Sequence, residues 1–292
     1  MNDGFDAFLA RAWQDHAEQP EAVAERLRER GTPVPSSAAQ LSGLARLIVH
    51  LFGEHLGRFD EARERIDTLA CSGAADDDEA RSALRVARAS LNLAEGRPDP
   101  MNGLSAAESA RAEGGAAALC VGRGDSPRGR AFIASARERL AALPNALPAD
   151  HRPLAVACNN LAWTLIERGP ARSADDTAAM VEFARASREH WAIAATWLEV
   201  ERADHAIACA LLASGAPDEA LVVAERCLAG CVDHEAPPFE LFFAHEALAR
   251  VHHARGDTLP RQHHAQAAQT AFERLGSDDQ AACRAALDAL RT

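Results

Sequence analysis

The chain has no lysine and no tyrosine among its 292 residues. A Walker-type phosphate loop places a lysine on the β- and γ-phosphates. Pyridoxal enzymes hold their cofactor through a lysine Schiff base, and protein kinases use a lysine on a strand. Those chemistries are excluded. Arginine stands wherever lysine would, which reads as the imprint of a GC-rich genome. No apolar run approaches the roughly 18–20 residues that span a bilayer. The opening Met1-Asn2-Asp3-Gly4-Phe5 has neither the basic nor the apolar region of a secretory signal. Seven cysteines, an odd number without regular spacing, fit a reducing cytoplasm better than a disulfide framework. The sequence also lacks His-Glu-x-x-His, Gly-x-Ser-x-Gly and the Glu-x-x-His of di-iron bundles. A formal charge of −12 disfavours nucleic acid and anionic membranes, because both reward a basic face.

What is present points to helices. Alanine, leucine and arginine dominate, β-branched runs are scarce, and glycine and proline fall mainly at punctuation points, so the expected class is all-α. An N-terminal amphipathic helix is expected over about 5–30, with Phe5, Phe8, Leu9, Ala12 and Trp13 as its apolar stripe. Gly31 to Ser37 breaks it, and a serine there can cap the next helix. Further helices are expected over about 37–56, 58–71, 79–96, 104–120 and 126–143. Asp76-Asp77-Asp78-Glu79 favours the macrodipole at one of their N-termini. Arg123-Gly124-Asp125 reads as a turn between two of them. Pro144 to Pro153 forms a second break. Beyond it, helices are expected over 154–168, 175–191, 192–214, 217–231, 238–255, 259–275 and 278–290, the last as a polar-faced cap. The expected organisation is an N-terminal helical segment (1–32), divergent hairpins (33–150) and clearer repeats (151–292).

Those repeats share one design. Leu161-Ala162 precede Gly169, Ile207-Ala208 precede Gly215, and Leu248-Ala249 precede Gly256, each with the alanine seven places before the glycine. Asn159-Asn160-Leu161-Ala162-Trp163-Thr164-Leu165-Ile166-Glu167-Arg168-Gly169 resembles the first helix of a tetratricopeptide repeat. Ala208 through Gly215-Ala216-Pro217-Asp218-Glu219-Ala220 resembles the middle of another, and Gly57-Arg58-Phe59-Asp60-Glu61-Ala62 a third. The resemblance runs over about 37–275 and is strongest after Arg152. It implies a right-handed superhelical solenoid of antiparallel helix pairs. The spacing departs from the family: the turn glycines Gly124, Gly169, Gly215 and Gly256 lie 45, 46 and 41 residues apart, against about 34 in the standard repeat. His50 and Arg261 also occupy sites where the repeat has a small residue.

In such repeats the first helices line a concave groove that takes up peptides or partner helices. The resemblance places Asn159, Asn160 and Trp163, then Arg202 and His205, then Phe243, Glu246 and Arg250 toward that groove. The Asn160 carboxamide offers a donor and an acceptor to an extended backbone. Arg202 and Arg250 can pair with a ligand carboxylate or, internally, with Glu199, Glu201 or Glu246. Trp191 and Trp197 read as core or as a recognition cluster. The resemblance thus implies a non-catalytic, cytoplasmic, bacterial-type scaffold for a protein or peptide, without cofactor, metal, nucleic acid or membrane. Two other readings remain open. One is a peptide-sensing regulator acting through a protein partner. The other is a metal protein using Cys227, Cys231 and His234, which share one helix face at i, i+4 and i+7.

Overall fold

In a computed structural model, which describes residues 3–29 and 33–291, the chain forms fourteen α-helices and no strand among those residues. It divides into two compact units, Met1–Ala146 and Leu147–Thr292.

The first unit contains α1 (Asp3–Asp15), α2 (Pro20–Arg28), α3 (Ala38–Ile48), a π-helical continuation of α3 (Val49–His55), α4 (Phe59–Ala70), α5 (Asp78–Glu95), α6 (Ala106–Gly122) and α7 (Ser126–Ala141). The single N-terminal helix expected over 5–30 is two helices. Pro20 has no N–H to continue the α1 ladder, and it opens α2 instead. Residues 30–32 of the expected helix and break lie outside the described residues. Phe5 and Ala12 of the stripe are buried, with Phe8, Leu9 and Trp13 packed against the same core. That core centres on Leu41, Leu47, Leu51, Phe52, Ile66, Leu91 and Leu119. Ser37 caps α3 by accepting from the Gln40 N–H, and Asp77 caps α5 from Glu79 and Ala80. Gly96 ends α5 at φ 73°, which lets the Arg97 N–H reach back to the Asn92 carbonyl at 2.9 Å.

The second unit contains α8 (Pro148–Glu167), α9 (Ala174–Ala194), α10 (Trp197–Ala213), α11 (Pro217–Asp233), α12 (Pro238–Arg255), α13 (Thr258–Phe272) and α14 (Ser277–Ala289). The expected break through Pro153 is not there. Helix α8 starts at Pro148, and the Asp150 carboxylate accepts from the Leu147 N–H at 2.8 Å. Pro153 sits inside the helix and forfeits one ladder bond, while buried Leu154 and Ala155 anchor that turn. Helix α10 likewise begins later than expected. Ala195 is extended, and the Thr196 N–H donates to Glu199 at 3.1 Å to open the new helix.

Packing is between sequence neighbours: α8 on α9, α10 on α9 and α11, and α12 on α11 and α13. Helix α10 also touches α8 and α12, so these three form one layer. Ala162, Ala208 and Ala249 are 0%, 1% and 1% exposed. A larger side chain there would overpack its site at a cost of about 1–3 kcal/mol.

Candidate functional site

The layer formed by α8, α10 and α12 carries a row of rings. Trp163 from α8 stacks on His205 from α10, with centroids 5.9 Å apart and planes 27° from parallel. His205 in turn meets the edge of Phe243 from α12 at 5.5 Å. Phe239, one turn before Phe243, continues the row at 5.1 Å. The three ring residues expected to share one groove are therefore linked through contacts with His205. Each is half-buried, whereas Phe242 and Ala244 on either side of Phe243 are fully buried.

A charged cluster underlies the row. His205 Nε2 lies 3.7 Å from Glu246 Oε2, and Arg250 Nη1 lies 3.2 Å from Glu246 Oε1. Cys209, one turn after His205, brings its Sγ to 3.7 Å from His205 Nε2 and 3.9 Å from Arg250 Nη1. Burial alone would strip the proton from His205, but Cys209 and Glu246 outweigh it and raise the imidazole pKa to about 10. Burial also works to raise the Glu246 pKa, but His205 and Arg250 hold it below the ordinary carboxylate value. A histidine that keeps its proton at neutral pH is a poor general base. With its pKa raised to about 10, the ring presents a positive charge together with an aromatic face.

The remaining predicted residues fall differently. Glu246 is buried beneath the row rather than open to a groove. Asn160 is exposed, and Asn159, half-buried, donates to its carbonyl at 3.5 Å. The side chain of Arg202 is 57% exposed, with its guanidinium on the buried Glu240 of α12 at 3.1 Å from Nε. Its expected partners were Glu199, Glu201 or Glu246. Glu240 lies 38 residues away, and only the lateral contact of α10 with α12 brings the two together. Neither Glu240 nor the approach of Cys209 to His205 is signalled by spacing along one helix beyond the i, i+4 relation of the latter pair.

The cysteine face serves packing. Cys227 and Cys231 both donate to Glu201 Oε1, at 3.0 and 3.3 Å, tying α11 to α10. Cys231, burial and Glu201 push the Cys227 thiol up, so its proton stays on sulfur, and burial pushes the Glu201 carboxyl up. His234 instead stacks on Trp197, with centroids 4.6 Å apart. Trp191 is buried, with Arg152 over its ring. No helix among the described residues is long and apolar enough to cross a membrane. No family model, curated protein or solved structure matches this chain.

Proposed function

We propose that this is a tetratricopeptide-like scaffold, a right-handed solenoid of antiparallel helix pairs, that binds a peptide or partner helix without catalysing a reaction. The ring row across α8, α10 and α12 is the observation that carries the reading. Trp163, His205 and Phe243 come from three helices of one layer, so a ligand crossing it would meet all three in register. The rings are locked by mutual contact and by the charges beneath them, so binding orders the ligand more than the receptor. Asn159 and Asn160 supply amides to an extended backbone at one end. Arg202 offers its free donors to a ligand carboxylate while keeping Glu240 as its internal anchor. Aromatic and arginine anchors of this kind dominate interface energetics.

The test is a peptide library, covering extended and helical segments, titrated against the wild type and the Trp163→Ala and Phe243→Ala variants, with circular dichroism to verify helicity. Each truncation is expected to weaken captured peptides by roughly tenfold, or about 1.4 kcal/mol. Captured peptides that bind both folded variants as well as the wild type would refute the assignment of this face.

A further inference from the structure

We propose that His16, His50 and His55 of the first unit form a binding site for one divalent transition-metal ion, with zinc the best-fitting occupant. The site is made by the π-helical segment. On an α-helix, side chains five residues apart diverge by about 140°. The wider turn, marked by the Leu56 N–H reaching the Leu51 carbonyl at 3.0 Å, returns residue 55 over residue 50. Their rings meet edge to face at 4.7 Å, and their Nε2 atoms lie 3.1 Å apart. Two imidazole nitrogens on one tetrahedral zinc sit about 3.3 Å apart. The pair is therefore already at coordinating distance.

The turn that follows α1 supplies the third ligand. The ring of His16 stands 4.8 Å from that of His50 and 5.2 Å from that of His55. One nitrogen from each of the three histidines lies within 4.8 Å of the others. Small side-chain rotations close that triangle onto an ion. Three nitrogen ligands leave a fourth position for water, and an all-imidazole set suits zinc, copper, nickel or cobalt rather than magnesium or calcium.

The surroundings orient the rings as metal ligands are oriented. His50 Nδ1 lies 2.7 Å from Glu54 Oε2, and His16 Nδ1 lies 2.6 Å from the Trp13 carbonyl oxygen. Each Nδ1–H has an acceptor, which leaves Nε2 of both rings with its lone pair. The proton on His55 Nε2, donated to His50 Nε2 in the free protein, is exchanged through solvent to His55 Nδ1 when the ion enters, so His55 binds through Nε2 as a neutral imidazole. Glu54 is pinned in turn: a Cβ at Gly122 of α6 would collide with its side chain. The Trp13 ring covers His50 at 5.4 Å and shields that side. Elsewhere among the described residues, histidines meet without a third convergent ligand, as His245 and His264 do at 3.0 Å.

The test uses the full chain, stripped with a chelator and titrated with cobalt(II) alone, then displaced with zinc(II). One equivalent of cobalt should give the intense visible bands of a low-coordinate nitrogen site, quenched by one equivalent of zinc. His55→Ala, chosen because that residue is exposed, should lose the bands and weaken zinc by more than tenfold. Glu54→Gln should weaken it by about 10–100-fold. His264→Ala should bind as the wild type does. Absence of stoichiometric binding in the wild type, or full binding by helical His55→Ala protein, would overturn the proposal.

Discussion

The Glu108 carboxylate at the start of α6 accepts from three directions. The Ser105 backbone N–H reaches it at 2.9 Å, the Ser82 hydroxyl at 2.7 Å and Arg85 Nη2 at 2.6 Å. Ser105 returns the favour by capping the Glu108 N–H, which completes the capping box. Burial works to raise the Glu108 pKa, but the Ser105, Ser82 and Arg85 contacts outweigh it and bring it to about 2. A carboxylate whose folded pKa lies below its unfolded value stabilises the fold fully above about 4.5. That contribution is lost as the pH falls from there toward 2. Glu108→Gln should therefore destabilise the first unit by about 1–2 kcal/mol at neutral pH, read as a lower urea midpoint. The gap between variant and wild type should narrow as the pH approaches 2. A gap independent of pH would mean that shape, not charge, carries the effect. The Ser-x-x-Glu spacing exposes the cap in the sequence; the pairing with Ser82 and Arg85 of α5 arises only from the packing of α5 on α6.

Among elements, the α12–α13 pair is held by histidines. His245 Nδ1 lies 3.0 Å from His264 Nδ1, and His252 stacks on His264 at 5.6 Å. Burial first, then His245, His263 and His252, lowers the His264 pKa to about 4, and burial with His263 lowers that of His245. The other groups here are Asp257, which pairs with His252 at 3.1 Å, and Arg255, which shares that carboxylate. The folded imidazole takes its proton later than the unfolded one, so stability is full above about pH 6.5 and declines as the pH falls toward 4. Melting followed by circular dichroism should show that decline, and His264→Gln should flatten it. An unchanged acid slope in the variant would remove His264 as its source. Helix positions such as α12, bounded by Pro238 and Gly256, were legible because proline and glycine act within a turn or two. The π segment was not. Its apolar residues continue the spacing of α3, so nothing local separates the two until Gly53 and Gly122 let Leu119 and Glu54 crowd in. For the same reason the convergence of His50 with His55 was invisible, whereas Trp163, His205 and Phe243 had been grouped by the resemblance, though their ring contacts had not.

At the scale of the molecule, the missing lysine gives the ion pairs a common character. Arg28 grips Glu61 with two bonds of 2.7 Å, Arg58 grips Glu21 at 2.8 and 2.9 Å, and Arg226 holds Asp204 the same way. A planar guanidinium makes such forks and an ammonium does not. The more exposed pairs contribute little individually, so the apolar interior carries most of the stability. Each unit encloses clusters of its own: Leu41, Phe52 and Leu119 in the first, Phe242, Phe272 and Leu287 in the second. Expressed separately, residues 1–146 and 147–292 should each be helical and melt cooperatively. A piece that stays unfolded at neutral pH would show that its core needs the rest of the chain.

The π segment also sets a rule of length. An α-helix turns about 100° per residue, so deleting one residue between Val49 and His55 would let the regular ladder re-form and re-aim the side chains within the segment. Leu51 and Phe52 would no longer face the core they fill, and His55 would leave His50. In this stretch the number of residues is constrained as tightly as their identity, and insertions or deletions that surface loops absorb would be costly here.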